Sequence, residues 1–238
     1  MAAVQGQTFN GRQYTAEVFL WPVRWKLMFP VSYRDLEFMP HDLCISVDHT
    51  ALFRWIQSHA AELEKRIRPH RRPNNGSWRV GETYVKVKGR WTCLYRAVDS
   101  RAQTIDFLLL AKRNARTAKR FFGKAQAQPH TGNPRTITVD KNPACPKAIA
   151  ELKEGTELRD GSKLRRVKYP NNIVEQDHRR IKRLTHPGLG FGGFWTARRT
   201  LACFDAIAMI RKEQVRNIGG GDIRSQGIFI AGLFQIAA

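Results

Sequence analysis

Two acids, Asp140 and Glu175, stand where the chain could do chemistry. Asp140 closes the short apolar run "TITVD". Glu175 lies in the first turns of a helical run that begins near Asn172 ("NNIVEQDHRRIKRL"), 35 positions later. A lone Asp at a strand end is usually a turn former, and a lone Glu on a helix usually faces water. Two carboxylates gathered at one edge are a different matter. Their hard oxygens select Mg²⁺ or Mn²⁺, and two such ions about 3.5–4 Å apart clamp the attacking and leaving oxygens of a phosphodiester. The cysteines offer no rival metal chemistry. Cys44, Cys93, Cys145 and Cys203 include no C-x-x-C pair, so neither a zinc site nor a disulfide framework is suggested, and each is expected as a small buried or half-buried residue.

The elements that must position these acids follow from periodicity. "WRVGETYVKVK" alternates as a strand, with Gly81 interrupting it; Gly89 supports a turn into "RWTCLYRAVD", and "TIDFLLLA" is a third strand. Short connections make this an antiparallel meander. "RNARTAKRFFGKAQ" reads as a helix capped by Asn114, "TITVD" as a buried strand, and "CPKAIAEL" as a helix with Pro146 in its first turn. "LRRVKY" is a fifth strand, and the Glu175 helix follows. Three strands, helix, strand, helix, strand, helix is the element order of the ribonuclease-H-like α/β fold. In that mixed sheet the positions of Asp140 and Glu175 converge on one edge, beside the middle of the first strand.

Before this core, residues 1–62 read as a helical unit. "YTAEVFLWPVRWKLMF" places Val18, Trp21, Trp25, Met28 and Phe29 at helical spacing, with Pro22 at a boundary or kink. "SYRDLEFM" opens on a Ser32–Asp35 capping pattern and stops at Pro40. "SVDHTALFRWIQSHAAELEKRI" is capped by Ser46 or Asp48 and carries Leu52, Trp55, Ile56 and Leu63 on its apolar side. The trio suggests a helix-turn-helix, whose second helix would turn His49, Thr50 and Arg54 to base edges; a trio that merely packs is the plainer reading. Residues 63–77, with "EKRIRPHRRPNNGS", read as a basic linker or a phosphate-tracking arm. Residues 78–185 make the core. Residues 186–238 form a loop and helical tail, with Leu201, Phe204, Ile207 and Ala208 on the apolar side of one amphipathic helix and a weakly patterned end.

Charge narrows the partners. Lys and Arg number 41 against 20 Asp and Glu, a net charge of +21 over 238 residues, which attracts polyanions. A basic RNA-binding protein would fit the charge but leaves the spaced acids and the capped helices unexplained. "MAAVQGQTFNGRQY" lacks the pattern of a signal peptide, and the uncharged C-terminal stretch is too short to span a membrane, so a soluble, intracellular protein is expected.

At this point the chain resembles a family, the DDE-type bacterial insertion-sequence transposases of the small cointegrate-forming group. The resemblance runs over nearly the whole length: "VSYRDLE", "SVDHTALFRWIQ", "ETYVKVKGRWTCLYRAVDSRAQTIDF", "TVDKNPACPKAI" and "KYPNNIVEQDHRRIKR" occur in the family's order. It implies a DNA recombinase acting on double-stranded DNA: the terminal repeats of its own mobile element and a target. Such an enzyme nicks the 3′ ends and joins the freed hydroxyls to target DNA, without a covalent intermediate. It implies two Mg²⁺ (or Mn²⁺) ions in an intact site, a homo-oligomer on paired ends, and the bacterial cytoplasm at the nucleoid. Asp140 and Glu175 match the family's second and third metal ligands. Lys182, seven residues after Glu175, matches a basic residue that meets DNA phosphate, although a solvated lysine in "HRRIKR" would look the same.

The departure is at the first acid: the family has Asp immediately before "ETY", and this chain has Gly81. Glu82 is expected on the opposite strand face unless a bulge rotates it inward. Asp99 belongs to the family pattern without evident reach to the site. Little or no nicking and strand transfer is therefore expected, and a DNA-binding remnant or competitor of an intact transposase is the alternative.

Overall fold

The computed structural model describes residues 16–42, 44–111, 114–140, 144–167 and 172–234. The N-terminal "MAAVQGQTFNGRQY" and the side chain of Val18 lie outside them. In chain order the elements are α1 (Ala16–Met28), α2 (Tyr33–His41), α3 (His49–Ile67), β1 (Ser77–Val87), β2 (Arg90–Asp99), β3 (Thr104–Leu110), α4 (Ala115–Gln126), β4 (Thr136–Val139), α5 (Ala144–Glu154), β5 (Lys163–Arg166), α6 (Asn172–Thr185), α7 (Phe194–Arg211) and α8 (Ile223–Leu233). They divide into two compact units. One comprises residues 72–182; the other joins residues 1–71 to 183–238.

The unit of residues 72–182 holds a five-stranded sheet in the order β3-β2-β1-β4-β5. β1 pairs antiparallel with β2 and β2 with β3, while β4 runs parallel to both β1 and β5. This is the ribonuclease-H-like mixed sheet. The parallel pairs need crossovers, and α4 and α5 supply them. Alternation along the strands sends Trp78, Val80, Tyr95, Ala97, Ile137 and Val139 to one face, where they pack on Ala118, Phe121 and Phe122 of α4 and Ala148, Ile149 and Leu152 of α5. Asn114 caps α4 through a capping box with Thr117. α6 buries Val174, Asp177, His178 and Ile181, a stripe at helical spacing, and leaves Glu175 and Lys182 exposed.

In the other unit, α2 and α3 are each started by a side chain that satisfies otherwise orphaned N–H groups. The Ser32 hydroxyl accepts the Asp35 N–H at 3.0 Å, and the Asp35 carboxylate accepts the Ser32 N–H at 3.1 Å. Asp48, rather than Ser46, caps α3 by accepting the N–H groups of Thr50 and Ala51 at 2.8 and 3.0 Å. Leu36, Val47 and Leu52 form the centre of this packing. Pro22 lies inside α1 rather than at its boundary. The face of α1 also differs from the expected one. Leu20, Val23, Leu27 and Met28 are buried, whereas Trp21 and Phe29 are 48% and 47% exposed.

Two further expectations are corrected, and the helical tail is made specific. α3 continues to Ile67 with Leu63 and Ile67 buried, and Arg71 pairs with Val215, so a solvated linker begins no earlier than Arg72. α7 is not amphipathic, since residues 200–210 are all buried, Thr200 and Asp205 included. The weakly patterned end is a helix, α8, started by the Asp222 carboxylate accepting the Ser225 N–H at 2.9 Å. Of the cysteines, Cys93, Cys145 and Cys203 are buried as expected and Cys44 is exposed. No helix among the described residues is long and apolar enough to cross a membrane.

Candidate active site

The register of β1 against β4 sets the site. Their last paired residues are Val80 and Val139, so Gly81 and Asp140 are the next positions on two neighbouring parallel strands. Asp140 is exposed at the end of β4. Glu175 lies in the first turn of α6 with its side chain 56% exposed. The same turn sits on β1: a Cβ at Gly81 would stand 2.9 Å from His178 Cε1 and 3.0 Å from Val174 Cγ1. Helix and strand thus approach closely at Gly81, and side chains of α6 fill the volume that a side chain at 81 would need.

His178 is buried, and its Nδ1 lies 3.5 Å from Glu175 Oε2. Burial pushes its pKa down to about 4, and the nearby Arg96 cation adds to this, so the ring is neutral at neutral pH. Its Nε2 is buried without a hydrogen-bond partner among the described residues.

The cross-strand neighbour of Gly81 is Arg96 on β2. Its guanidinium is fully buried and donates from Nε to Asp177 Oδ2 at 2.6 Å, and Asp177 Oδ1 lies 3.6 Å from Arg180 Nε. A charged pair in this setting stands only when matched, because each ion alone would face the full desolvation penalty. The pair locks the rotation of α6 over the sheet, and with it the place of Glu175 two residues earlier.

The substitutes considered for the first acid do not reach this face. The β1–β2 register runs unbroken from Trp78 to Val87, so no bulge rotates Glu82. Glu82 lies on the α5 side, with its carboxylate oxygens 3.9 Å from Cys93 Sγ and 4.0 Å from Cys145 Sγ. Asp99 is a turn former whose carboxylate accepts the N–H groups of Arg101, Gln103 and Asn75 at 2.8, 3.0 and 3.2 Å. Among the described residues, no group of three or more His, Cys, Asp or Glu could hold a metal ion. Gly81 supplies no oxygen donor, so Asp140 and Glu175 are the two carboxylates that remain of the expected three-acid set.

In the other unit, His49, Thr50 and Arg54 are all exposed on the first turns of α3. His49 is held from α2: Glu37 Oε2 lies 2.8 Å from its Nδ1 and 3.3 Å from its N–H. Lys182 is exposed on α6, two turns beyond Glu175.

A family model described as a DDE domain matches residues 75–214. The transposase for insertion sequence-like element IS431mec of Staphylococcus aureus (strain Mu50) is 30% identical over 211 residues, covering 88% of this chain and 91% of that one. The chain belongs to the DDE-type insertion-sequence transposases. A second S. aureus relative, the transposase for insertion sequence element IS257 in transposon Tn4003, matches at the same 30% identity and coverage. Among solved structures, the HTLV-2 integrase catalytic core domain in complex with magnesium aligns with a TM-score of 0.43 and 18% identity, over 60% of this chain and 97% of that one. The BIV integrase catalytic core domain aligns at 0.40 and 15%, over 59% and 86%.

In this transposase the sequence reading named Asp140, Glu175 and Gly81 but missed Arg96, Asp177 and His178. A signal was present for Arg96. In "LYRAV" it occupies the same alternating face as Leu94 and Val98, both buried, so a charge there required an anion from another element. The partner is 81 positions away, and no local pattern pointed to it.

Proposed function

We propose that this transposase binds the ends of its insertion sequence and target DNA, and that its capacity for 3′-end nicking and strand transfer is abolished or strongly impaired at Gly81. The observation that carries this reading is the close approach of His178 and Val174 to Gly81, which leaves no carboxylate at that corner and room for one only if the His178 ring moves. In an intact site of this class, bound divalent ions supply the charge that draws together the attacking and leaving oxygens. The chain retains Asp140 and Glu175 as hard oxygen donors for Mg²⁺ or Mn²⁺, a set short of two-ion occupancy. Loss of even an outer-shell partner lowers metal affinity or activity about 10–100-fold, so loss of a bridging ligand should act more strongly. His178, neutral and buried, backs Glu175, and Lys182 is placed two turns along the helix to meet a phosphate.

DNA recognition is assigned to α2 and α3 acting as a helix-turn-helix, with His49, Thr50 and Arg54 at the base edges. The net charge of +21 supports a polyanionic partner. Assembly as a homo-oligomer on paired ends, in the bacterial cytoplasm at the nucleoid, belongs to the same proposal. The second reading, a DNA-binding competitor of an intact transposase, is favoured by the same Gly81.

The test is a nicking and strand-transfer assay with end-containing duplexes in Mg²⁺ and Mn²⁺, comparing the natural chain with Gly81→Asp. The natural chain is expected to bind the ends and yield little product, and Gly81→Asp to gain activity once the His178 ring shifts. Natural-chain activity equal to that of Gly81→Asp would sink the impairment. Absence of end binding would sink both readings.

A further inference from the structure

The tip of the β1–β2 hairpin carries a surface that the carboxylate corner does not use. β3 leaves the sheet at the Cys93–Leu110 pair and β4 at the Val80–Val139 pair, so residues 85–92 continue as a two-stranded extension. From Gly81 to Val87 is six residues, which at ~3.3 Å each puts the tip about 20 Å from the candidate site. The turn is tight: Lys88 and Gly89 both take positive φ, 50° and 75°, as a two-residue hairpin loop of type I′ requires. The extension is therefore a short stiff finger rather than a floppy loop.

One of its faces is buried, through Val85, Val87 and Thr92. The other presents Trp91, 66% exposed, and Tyr84, 40% exposed, with Lys86 between them. Lys86 Nζ lies 5.4 Å from the centroid of the Trp91 ring, its cross-strand neighbour. Lys88 at the turn and Arg90 beside it bring the local cations to three, and no acid occurs between Glu82 and Asp99.

We infer that this hairpin tip is a second DNA-contact element, in which Lys86, Lys88 and Arg90 meet phosphates and Trp91 packs its ring against the sugars of the backbone. The inference rests on the proposed DNA-binding function and extends it to a surface outside both α3 and the carboxylate corner. Duplex DNA fits better than a second copy of the chain. Two such tips would bring like charges together, whereas an exposed aromatic among cations is the composition that stacks on nucleic acid while tracking its backbone. Alternation places Trp91 and Lys86 on the opposite strand face from Gly81. Arg90, paired with Val87 on the Gly81 face, is separated from Gly81 by the length of the hairpin, so changes at the tip leave the carboxylate corner intact.

The experiment uses the full chain, a labelled duplex lacking the element end, and a second duplex containing it, with affinity measured across a salt series. Lys86→Ala/Lys88→Ala/Arg90→Ala is expected to reduce the slope of log K against log salt by about 2–3, since each neutralised phosphate contributes about 0.9. Trp91→Ala is expected to weaken binding about tenfold with little change in slope. Both variants should keep the natural melting temperature, because the altered side chains are exposed. Unchanged affinity and slope in the triple variant overturn the inference. So does a variant that changes sedimentation as an oligomer while binding DNA normally, which would make the tip an interface between copies. His49→Ala/Arg54→Ala separates the two levels: it should abolish the preference for the element end while leaving the hairpin contribution to the slope. A natural chain that binds neither duplex refutes the proposed function itself.

Discussion

On the α4–α5 side of the sheet, Trp78, Val80 and Tyr95 pack on Phe121, Phe122 and Leu152, with the Tyr95 and Phe121 rings stacked 5.6 Å apart. On the α6 side, Gly81 lies under His178 and Val174, and the fully buried Arg96 meets Asp177. Both faces bury side chains completely, yet they are held differently. The first depends on volume, because dispersion and burial scale with filled space. The second depends on matching, because each buried ion is tolerable only with its partner. The face that carries Glu175 is thus the one where a single substitution can leave a charge stranded, and the candidate site sits on the less forgiving side.

The largest expected effect tests the volume side. Phe121→Ala should cost about 3–5 kcal/mol, seen as a fall in the urea midpoint at constant slope. A loss no greater than that of an exposed control would mean that face is not close-packed. On the other face, Asp177→Ala should cost about 3–5 kcal/mol by stranding Arg96, whereas the paired exchange Arg96→Met/Asp177→Leu should lie near neutral. If the double variant is as unstable as the single one, matching is not what holds α6. Activity of any catalytically competent form should still fall in the double variant, because Glu175 loses its anchor.

The same distinction reaches Lys26 in the helical unit, which is 4% exposed. Its Nζ donates to the Val31 carbonyl at 2.5 Å and lies 4.7 Å from the Tyr33 ring centroid. Burial lowers its pKa to about 8, only partly opposed by the attraction of Asp35. Between about 8 and the ordinary value of about 10.4 the unfolded chain binds the extra proton, so stability should rise with pH across that window, by up to about 3 kcal/mol. Lys26→Met should abolish that rise in melting curves taken at successive pH values.

The smallest effect concerns the close approach. Gly81→Ala should cost about 1–3 kcal/mol through overpacking, and less in a Val174→Ala background, where one of the two close neighbours has retreated. Equal penalties in both backgrounds would show that α6 does not press on Gly81.

The strands and helices around the site were legible because each carries a clean period and its own stop signal: the positive-φ turn at Gly89, the Asn114 and Asp48 caps, and the terminal acid of "TITVD". α1 was legible as a helix but not in its buried face. Its bulky Trp21 and Phe29 drew the reading, whereas the smaller Leu20, Val23 and Leu27 fit the packing. α8 escaped because apolar residues and glycines are interleaved without a polar stripe, and α7 because burial all round erases the contrast that defines a face.

By itself the sequence determined the element order, the family, the two acids at element ends and the glycine where a third acid is expected. These are local or pattern properties, written in spacing and residue type. The tertiary structure alone decided that His178 and Val174 close over Gly81, that Arg96 finds Asp177, and that the β1–β2 hairpin extends beyond its neighbouring strands with Trp91 exposed. Such contacts join residues far apart in the chain, and they are selected by packing volume and charge matching in three dimensions, which no one-dimensional period records.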